Sequence, residues 1–279
     1  MKNQRHGRRF CAWILVVMLL FGSFPANISA EAWDSKGDAP KEMDIRFWED
    51  ESPDIGFYLN AAARYILETV PEPTFGTSGG EWSVMDLLRG MYTGSDYMNY
   101  IPEGYFDQYI EKVETYTVDC EGILHDKKST EYSRVFLSLT ALGYNVSNVA
   151  GYDFIDKLSQ SYKYAVWQGL NGPVWELIAL NTGDYSLYDS PSEGTPEDYN
   201  TKGKMIDEIL RQEITTNAGV KGGWALSGKT PDPDMTGMSL QALAPYYLDS
   251  GLYEQTGAGT DYEEFCTAVE RGIAAMADM

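Results

Sequence analysis

The chain has 279 residues, with 21 Lys+Arg against 42 Asp+Glu and a formal net charge of −21. At 43% hydrophobic residues it can bury a sizeable core, which excludes extensive disorder, and its length suits one large domain or two small ones. An acid excess of this size, with no Lys/Arg cluster beyond residue 9, argues against nucleic acid and anionic membrane as partners.

Residues 1–30 read as a signal peptide. Lys2, Arg5, Arg8 and Arg9 form a charged start, and Phe10 to Phe21 is an unbroken apolar run. Ile28-Ser29-Ala30 or Ala30-Glu31-Ala32 supplies the small-residue cleavage context. The apolar run is too short to span a bilayer, which takes about 20 residues, so no transmembrane anchor is expected after cleavage. Export would leave 17 Lys+Arg against 42 Asp+Glu, a net charge of about −25, and place the protein outside the cell. Cys120 and Cys266 would remain, enough for one disulfide or for two buried thiols, but not for a disulfide framework.

Residues 31–53 are polar and acidic, punctuated by Pro40 and Pro53, and read as a leader or linker. From residue 54 to 279 the chain becomes a succession of helices. Ile55, Leu59, Ala62, Ile66 and Val70 mark one helical face, with Asp54 as N-cap and Pro71 as stop. Tyr132, Val135, Leu139 and Leu142 repeat the pattern and end at Gly143, a C-terminal cap. Thr236, Leu240, Leu243 and Tyr247 repeat it again, with Pro245 removing one hydrogen bond inside the last turn. The spacing predicts about nine helices, near 54–70, 81–92, 103–118, 129–143, 151–161, 172–182, 201–213, 234–248 and 261–277. Sustained period-2 alternation is absent, so the class is all-α.

These helices alternate in character. Those starting at 81, 131, 172 and 234 are rich in small and apolar residues, whereas those at 105 and 201 are more charged. The first group should form an inner layer and the second an outer one, as in stacked helical hairpins.

The segment Gly222-Gly223-Trp224-Ala225-Leu226, followed by Asp232-Pro233-Asp234-Met235-Thr236-Gly237 and Met238-Ser239-Leu240-Gln241-Ala242-Leu243, resembles the prenyltransferase/squalene-oxidase repeat. It is similar to that family's Gly-Gly-aromatic turn, acidic N-cap and inner helix. Gln212 resembles the glutamine of the repeat, although the loop to Trp224 is longer than usual, and the segments at 81, 131 and 172 resemble weaker copies. The resemblance covers roughly residues 54–279 and is nearest to secreted bacterial cell-surface proteins. It implies an α/α toroid of repeated hairpins, here incomplete at nine helices against about twelve. Tyr262, Phe265, Val269, Ile273 and Met276 form an apolar stripe that then looks like an outer helix without its inner partner. The expectation is a chain that ends mid-repeat with this stripe exposed and prone to self-association.

Proteins resembling this toroid carry signatures that can be sought. The Asp-x-Asp-Asp acid of class II cyclases lacks its third acid, because Met235 follows Asp232-Pro233-Asp234. Helix capping suits Asp232 and Asp234 better than proton donation. His125 is the only histidine past the signal peptide, so the prenyltransferase zinc site has no ligand set, and no metal or cofactor is expected. A thioester Cys-Gly-Glu-Gln run, a phosphate-binding Gly-rich loop and Gly-x-Ser-x-Gly are absent. The segment 184–198 lacks EF-hand spacing and reads as an acidic solvated loop. The small β domain that joins cobalamin carriers has no room here.

Two readings of function follow. One is a non-catalytic, secreted or cell-surface module with a binding or adhesion role toward a small molecule, glycan or surface protein. Its mouth would present Trp82, Tyr132, Arg134, Trp175, Trp224, Asp232 and Asp234, with core packing the competing fate of each aromatic residue. The other is an enzyme of the toroid class acting on a polyprenyl, terpenoid or glycan substrate. Glu81, Glu131, Glu176 and Asp234, beside Trp82, Tyr132 and Trp175, would then supply paired carboxylates and aromatic platforms.

Overall fold

A computed structural model describes residues 55–77, 79–90, 100–183 and 185–279. The signal peptide, the leader and the Asp54 cap lie outside the described residues, as do positions 91 and 92 of the second expected helix and Asp184. The described chain is all-α. Eleven helices form, and the only strand-like pairings among the described residues are two isolated bridges, Val149 with Tyr152 and Thr215 with Lys221.

The helices are α1 (Ile55–Thr69), α2 (Glu81–Gly90), α3 (Tyr105–Asp119), α4 (Ser129–Ala141), α5 (Phe154–Ser159), α6 (Tyr162–Ala165), α7 (Asn171–Asn181), α8 (Lys202–Arg211), α9 (Pro233–Leu248), α10 (Ser250–Gln255) and α11 (Tyr262–Ala277). Nine match the expected ones. The additional two, α6 and α10, span four and six residues, too short to display an apolar period, and each is set by a cap. Ser161 Oγ accepts from Tyr164 N–H, and Asp249 accepts from the N–H groups of Gly251 and Leu252.

Four helices form the inner row in the expected order: α2 packs on α4, α4 on α7 and α7 on α9. Further helices pack against these. α1 packs on α2, α8 on α7 and α11 on α9. On α3 the residues Tyr105, Tyr109, Val113 and Thr117 form one buried stripe, and the Tyr109 hydroxyl meets Ser138 Oγ of α4 at 2.6 Å. One apolar core runs through all of these, from Ala63 to Val269. Each large aliphatic side chain fully buried in it contributes about 1.5–3 kcal/mol.

α4 shows why the inner helices are poor in charge. Every residue from Tyr132 to Leu139 is buried, so the expected stripe of Tyr132, Val135 and Leu139 is only one face of a helix enclosed all round. It closes as expected at Gly143: Tyr144 N–H donates to Leu139 O at 2.9 Å and Gly143 N–H to Thr140 O at 3.0 Å. On α1 the expected Ile66 packs against the core, joined by Leu67, and Ala63 is more deeply buried than the expected Ala62, which widens the stripe by one position. Pro245 sits inside α9 without ending it, and the helix continues to Leu248.

The Gly222–Trp224 turn joins α8 to α9. Gly223 has φ 72°, and a Cβ there would lie 2.8 Å from Pro231 Cβ, so only glycine fits. Trp224 is fully buried; its ring N–H donates to Ile209 O of α8 at 2.7 Å, and its backbone N–H and C=O both bond Thr236 Oγ1 of α9. Asp232 caps α9, accepting from Met235 N–H at 2.8 Å with Pro233 in the first helical turn.

The last helix corrects one expectation. Phe265 and Val269 are buried, Tyr262, Ile273 and Met276 pack against the same core, and α11 lies on α9 and α10. The stripe therefore has its inner partner: α9, the preceding inner helix. Arg271 fixes it further, gripping Glu213 with two hydrogen bonds of 2.6 Å.

Candidate functional site

Each inner helix leaves one line of least-buried positions at i, i+4, i+7 spacing. On α2 these are Trp82, Asp86 and Arg89; on α7, Asn171, Trp175 and Ile178; on α9, Asp234, Met238 and Gln241. On α4 the line is fainter, running through Thr130, Arg134 and Leu137 among neighbours that are wholly enclosed. The remaining faces pack on adjacent inner helices and on the outer layer. These lines therefore mark one shared face of the row.

Two tryptophans meet on it. The rings of Trp82 and Trp175 lie 5.3 Å apart between centroids at an interplanar angle of 52°, although their helices flank α4 from opposite sides. Asp86 follows Trp82 by one helical turn on the same face. Its side chain is reached by solvent, yet desolvation by the surrounding protein raises its pKa to about 6. No hydrogen bond or ion pair joins Asp86 to any described residue.

Arg134 crosses beneath this face. Its Nε donates to Glu81 Oε2 at 3.3 Å and an Nη to Glu131 Oε2 at 2.7 Å, while Glu81 Oε1 accepts Gly76 N–H at 2.9 Å. Glu81 is fully buried and Arg134 nearly so. Burial opposes the guanidinium charge, but Glu131 and Glu81 together hold its pKa above the ordinary value. Of the two fates expected for Arg134, pairing with a buried carboxylate is the one observed. Glu81 and Glu131 are consumed by the same pair, which removes both as cleft carboxylates.

Glu176 lies one position past Trp175 but points into the protein. It is fully buried, and Asn200 Nδ2 donates to its Oε2 at 2.8 Å. Desolvation raises its pKa to about 8 against the opposing pull of Ser129 and Asn200. Among the described residues its Oε1, Ser129 Oγ and Asn200 Oδ1 are buried without a well-formed hydrogen bond, so the pull of Ser129 on Glu176 is that of a nearby hydroxyl short of good bonding geometry.

The other expected mouth residues serve the fold. Tyr132 is enclosed, its hydroxyl donating to Gly122 O at 2.5 Å and accepting from Leu124 N–H at 3.1 Å, and burial raises its pKa to about 12. With both hydrogen-bonding capacities used internally, it offers nothing to a ligand. Trp224 is likewise internal and Asp232 is a cap, whereas Asp234 is exposed at the start of α9. Of the seven expected ligand-facing residues, the structure brings Trp82 and Trp175 into contact, while Arg134 is spent on Glu81 and Glu131. Asp86 was missed; its only sequence signal is its place one turn after Trp82, opposite the apolar positions Val84 and Leu87.

Cys120 and Cys266 form no disulfide. Among the described residues no group of three or more His, Cys, Asp or Glu could hold a metal ion, and no helix is long and apolar enough to cross a membrane. Comparison with family models, with curated proteins and with solved structures finds no match.

Proposed function

We propose that the chain is a secreted or cell-surface binding module of the α/α-toroid type, spanning residues 54–279, that holds its ligand on the shared face of the inner helices. The observation that carries this reading is the Trp82–Trp175 pair, with Asp86 one helical turn after Trp82 and without a bonded partner among the described residues. Half-buried aromatic rings next to a desolvated carboxyl are costly in an idle surface and useful in a site. The inner-to-outer order of the helices and the Gly223–Trp224–Asp232 turn support the toroid assignment. The apolar run at residues 10–21 supports export.

The test is fluorine NMR of 5-fluorotryptophan-labelled protein titrated with three probes: farnesol, chitotetraose and benzyltrimethylammonium. At least one is expected to move the Trp82 and Trp175 resonances while leaving Trp224 in place. Probes that move only other tryptophans, or none, would overturn the reading.

One observation favours a second reading, an enzyme of the same class acting on a polyprenyl, terpenoid or glycan substrate. A carboxyl with a pKa of about 6 is suited to general-acid work. Turnover of a probe abolished by Asp86→Asn would support this reading, and binding of the same probe without turnover would dismiss it.

A further inference from the structure

We infer that the chain pairs with a second copy of itself through the end of the molecule at which the inner helices start, in a two-fold dimer that covers Ile123, Trp167, Val220 and Leu226. The inference goes beyond the binding-face reading and does not depend on it.

The inner helices run side by side in the same direction. A Cβ on Gly172, at the start of α7, would lie 3.3 Å from Ser129 Oγ at the start of α4, and Thr130 Oγ1 donates to Gln168, just before α7, at 2.9 Å. At the far ends, Tyr246 of α9 donates to Asn181, the last residue of α7, at 2.7 Å. The loops that lead into these helices therefore share one end. Two of them are held together there: Tyr164 donates to His125 O at 2.6 Å, and Lys127 Nζ stands 5.6 Å from the centre of the Trp167 ring. α3 and α11 finish at the same end, where Tyr116 stacks on Phe75 at 3.9 Å and a Cβ on Gly223 would lie 3.2 Å from Ala275 Cβ.

Apolar exposure is concentrated at this end. Ile123, Trp167, Val220 and Leu226 are 49–64% exposed, and Val118 and Met279, at the ends of α3 and α11, are 52% exposed. Among the described residues only two other large apolar side chains are as open, Tyr100 and Leu248, and both lie at the opposite end. Apolar groups gathered in one place mark an interaction surface, whereas single scattered ones do not.

The charges decide what covers it. The described loops that follow the inner helices contain no Lys or Arg, and Asp153, Asp249 and Asp261 cap the helices that start at that opposite end. The loops that lead into the inner helices instead hold Lys127, Lys128, Lys221 and Lys229 in near balance with their acids. Lys221 is spent on Glu213 and Asp232 on its cap, but Lys128, Lys229, Glu72 and Glu121 make no ion pair among the described residues. A partner carrying one sign of charge would be repelled by half of these groups. A second copy turned about a two-fold axis sets the lysines of one against the acids of the other, which is an isologous contact. Two chains of net charge −21 also meet with least repulsion in this way, because their acid-only ends point apart.

Sedimentation equilibrium of the exported chain is expected to show a monomer–dimer equilibrium that stops at two copies. Trp167→Ala should weaken it about tenfold or more, as loss of an aromatic anchor does, and Ile123→Glu should abolish it. Leu248→Ser, at the opposite end, should leave it unchanged. In wild-type protein labelled with 5-fluorotryptophan, the Trp167 resonance should move as concentration rises while that of Trp224 stays, a measurement that needs no variant to fold. A monomer at every concentration up to about 1 mM would overturn the proposal. So would a series that grows past two copies, or a dimer that Leu248→Ser weakens and Trp167→Ala does not.

Discussion

Arg134 of α4 reaches Glu81 of α2 at 3.3 Å in a place closed to water, and this one contact joins two neighbouring inner helices. It also fixes Glu81 against Gly76, so the loop before α2 is held by the same carboxylate. The pair lies under the face that carries Trp82, the residue after Glu81. The polar layer that braces the row therefore also sets the position of the proposed site.

Breaking this pair from one side should be expensive. Arg134→Met strands Glu81 in the interior, and a loss of about 3–5 kcal/mol is expected in urea unfolding. Adding Glu81→Gln removes the stranded charge and should recover a substantial part of it. A single variant costing no more than a surface substitution would contradict the burial of the pair.

Glu176 makes stability depend on pH. Its pKa is raised from the ordinary 4.5 to about 8, so the folded protein keeps a proton that the unfolded chain releases. The stabilisation is complete below about pH 4.5 and is lost as the pH rises toward about 8, with a slope approaching 1.4 kcal/mol per pH unit from this one group. Glu176→Gln should flatten that slope in unfolding curves taken across the window and should be the more stable form at its upper end. The same slope in both proteins would place the pH dependence elsewhere.

The packing of α11 on the Trp224 turn is tight enough to test with one methyl group. A Cβ at Gly272 would lie 2.5 Å from Trp224 Cζ3 and 3.1 Å from Leu240 Cδ2. Gly272→Ala should cost about 1–3 kcal/mol in thermal unfolding, since neither neighbour has room to retreat. Combination with Trp224→Phe, which vacates the clash, should cost less than the sum of the two. Strict additivity would argue against the contact.

The two acids at the start of α9 should separate cleanly. Asp232→Ala removes the bond to Met235 N–H and should cost about 1 kcal/mol, whereas Asp234→Ala should stay within about 0.5 kcal/mol. Equal costs would mean that the cap is misassigned.

Much of the helical layout could be read from residue spacing, because it rests on local rules. The inner helices at 81, 131, 172 and 234 are marked by small and apolar residues, Gly143 by its place after an apolar period, and Gly223 and Asp232 by turn and cap chemistry. The features that were not legible depend on distant neighbours. Asp86 has the sequence appearance of an ordinary solvated acid on a helix; its desolvation comes from protein brought around it by the fold. Glu176 could be singled out as a carboxylate, but its burial is set by Asn200, which arrives from the loop before α8. Tyr132 and Trp224 stand in the sequence as candidates for the mouth or, with better odds, for the core. Both are held inside by hydrogen bonds to backbone groups. The stripe of α11 was read as unpartnered because its partner precedes it in the chain and was already assigned to another hairpin.

The account turns on Asp86, desolvated one helical turn after Trp82 and without a bonded partner among the described residues, and its carboxyl can be followed directly by carbon-13 NMR through a pH titration. A midpoint near 6, moving down in Trp175→Ala as water gains access, is the expected result. A midpoint at the ordinary value of 3.8, unmoved by that substitution, would place Asp86 on an open surface and contradict the site.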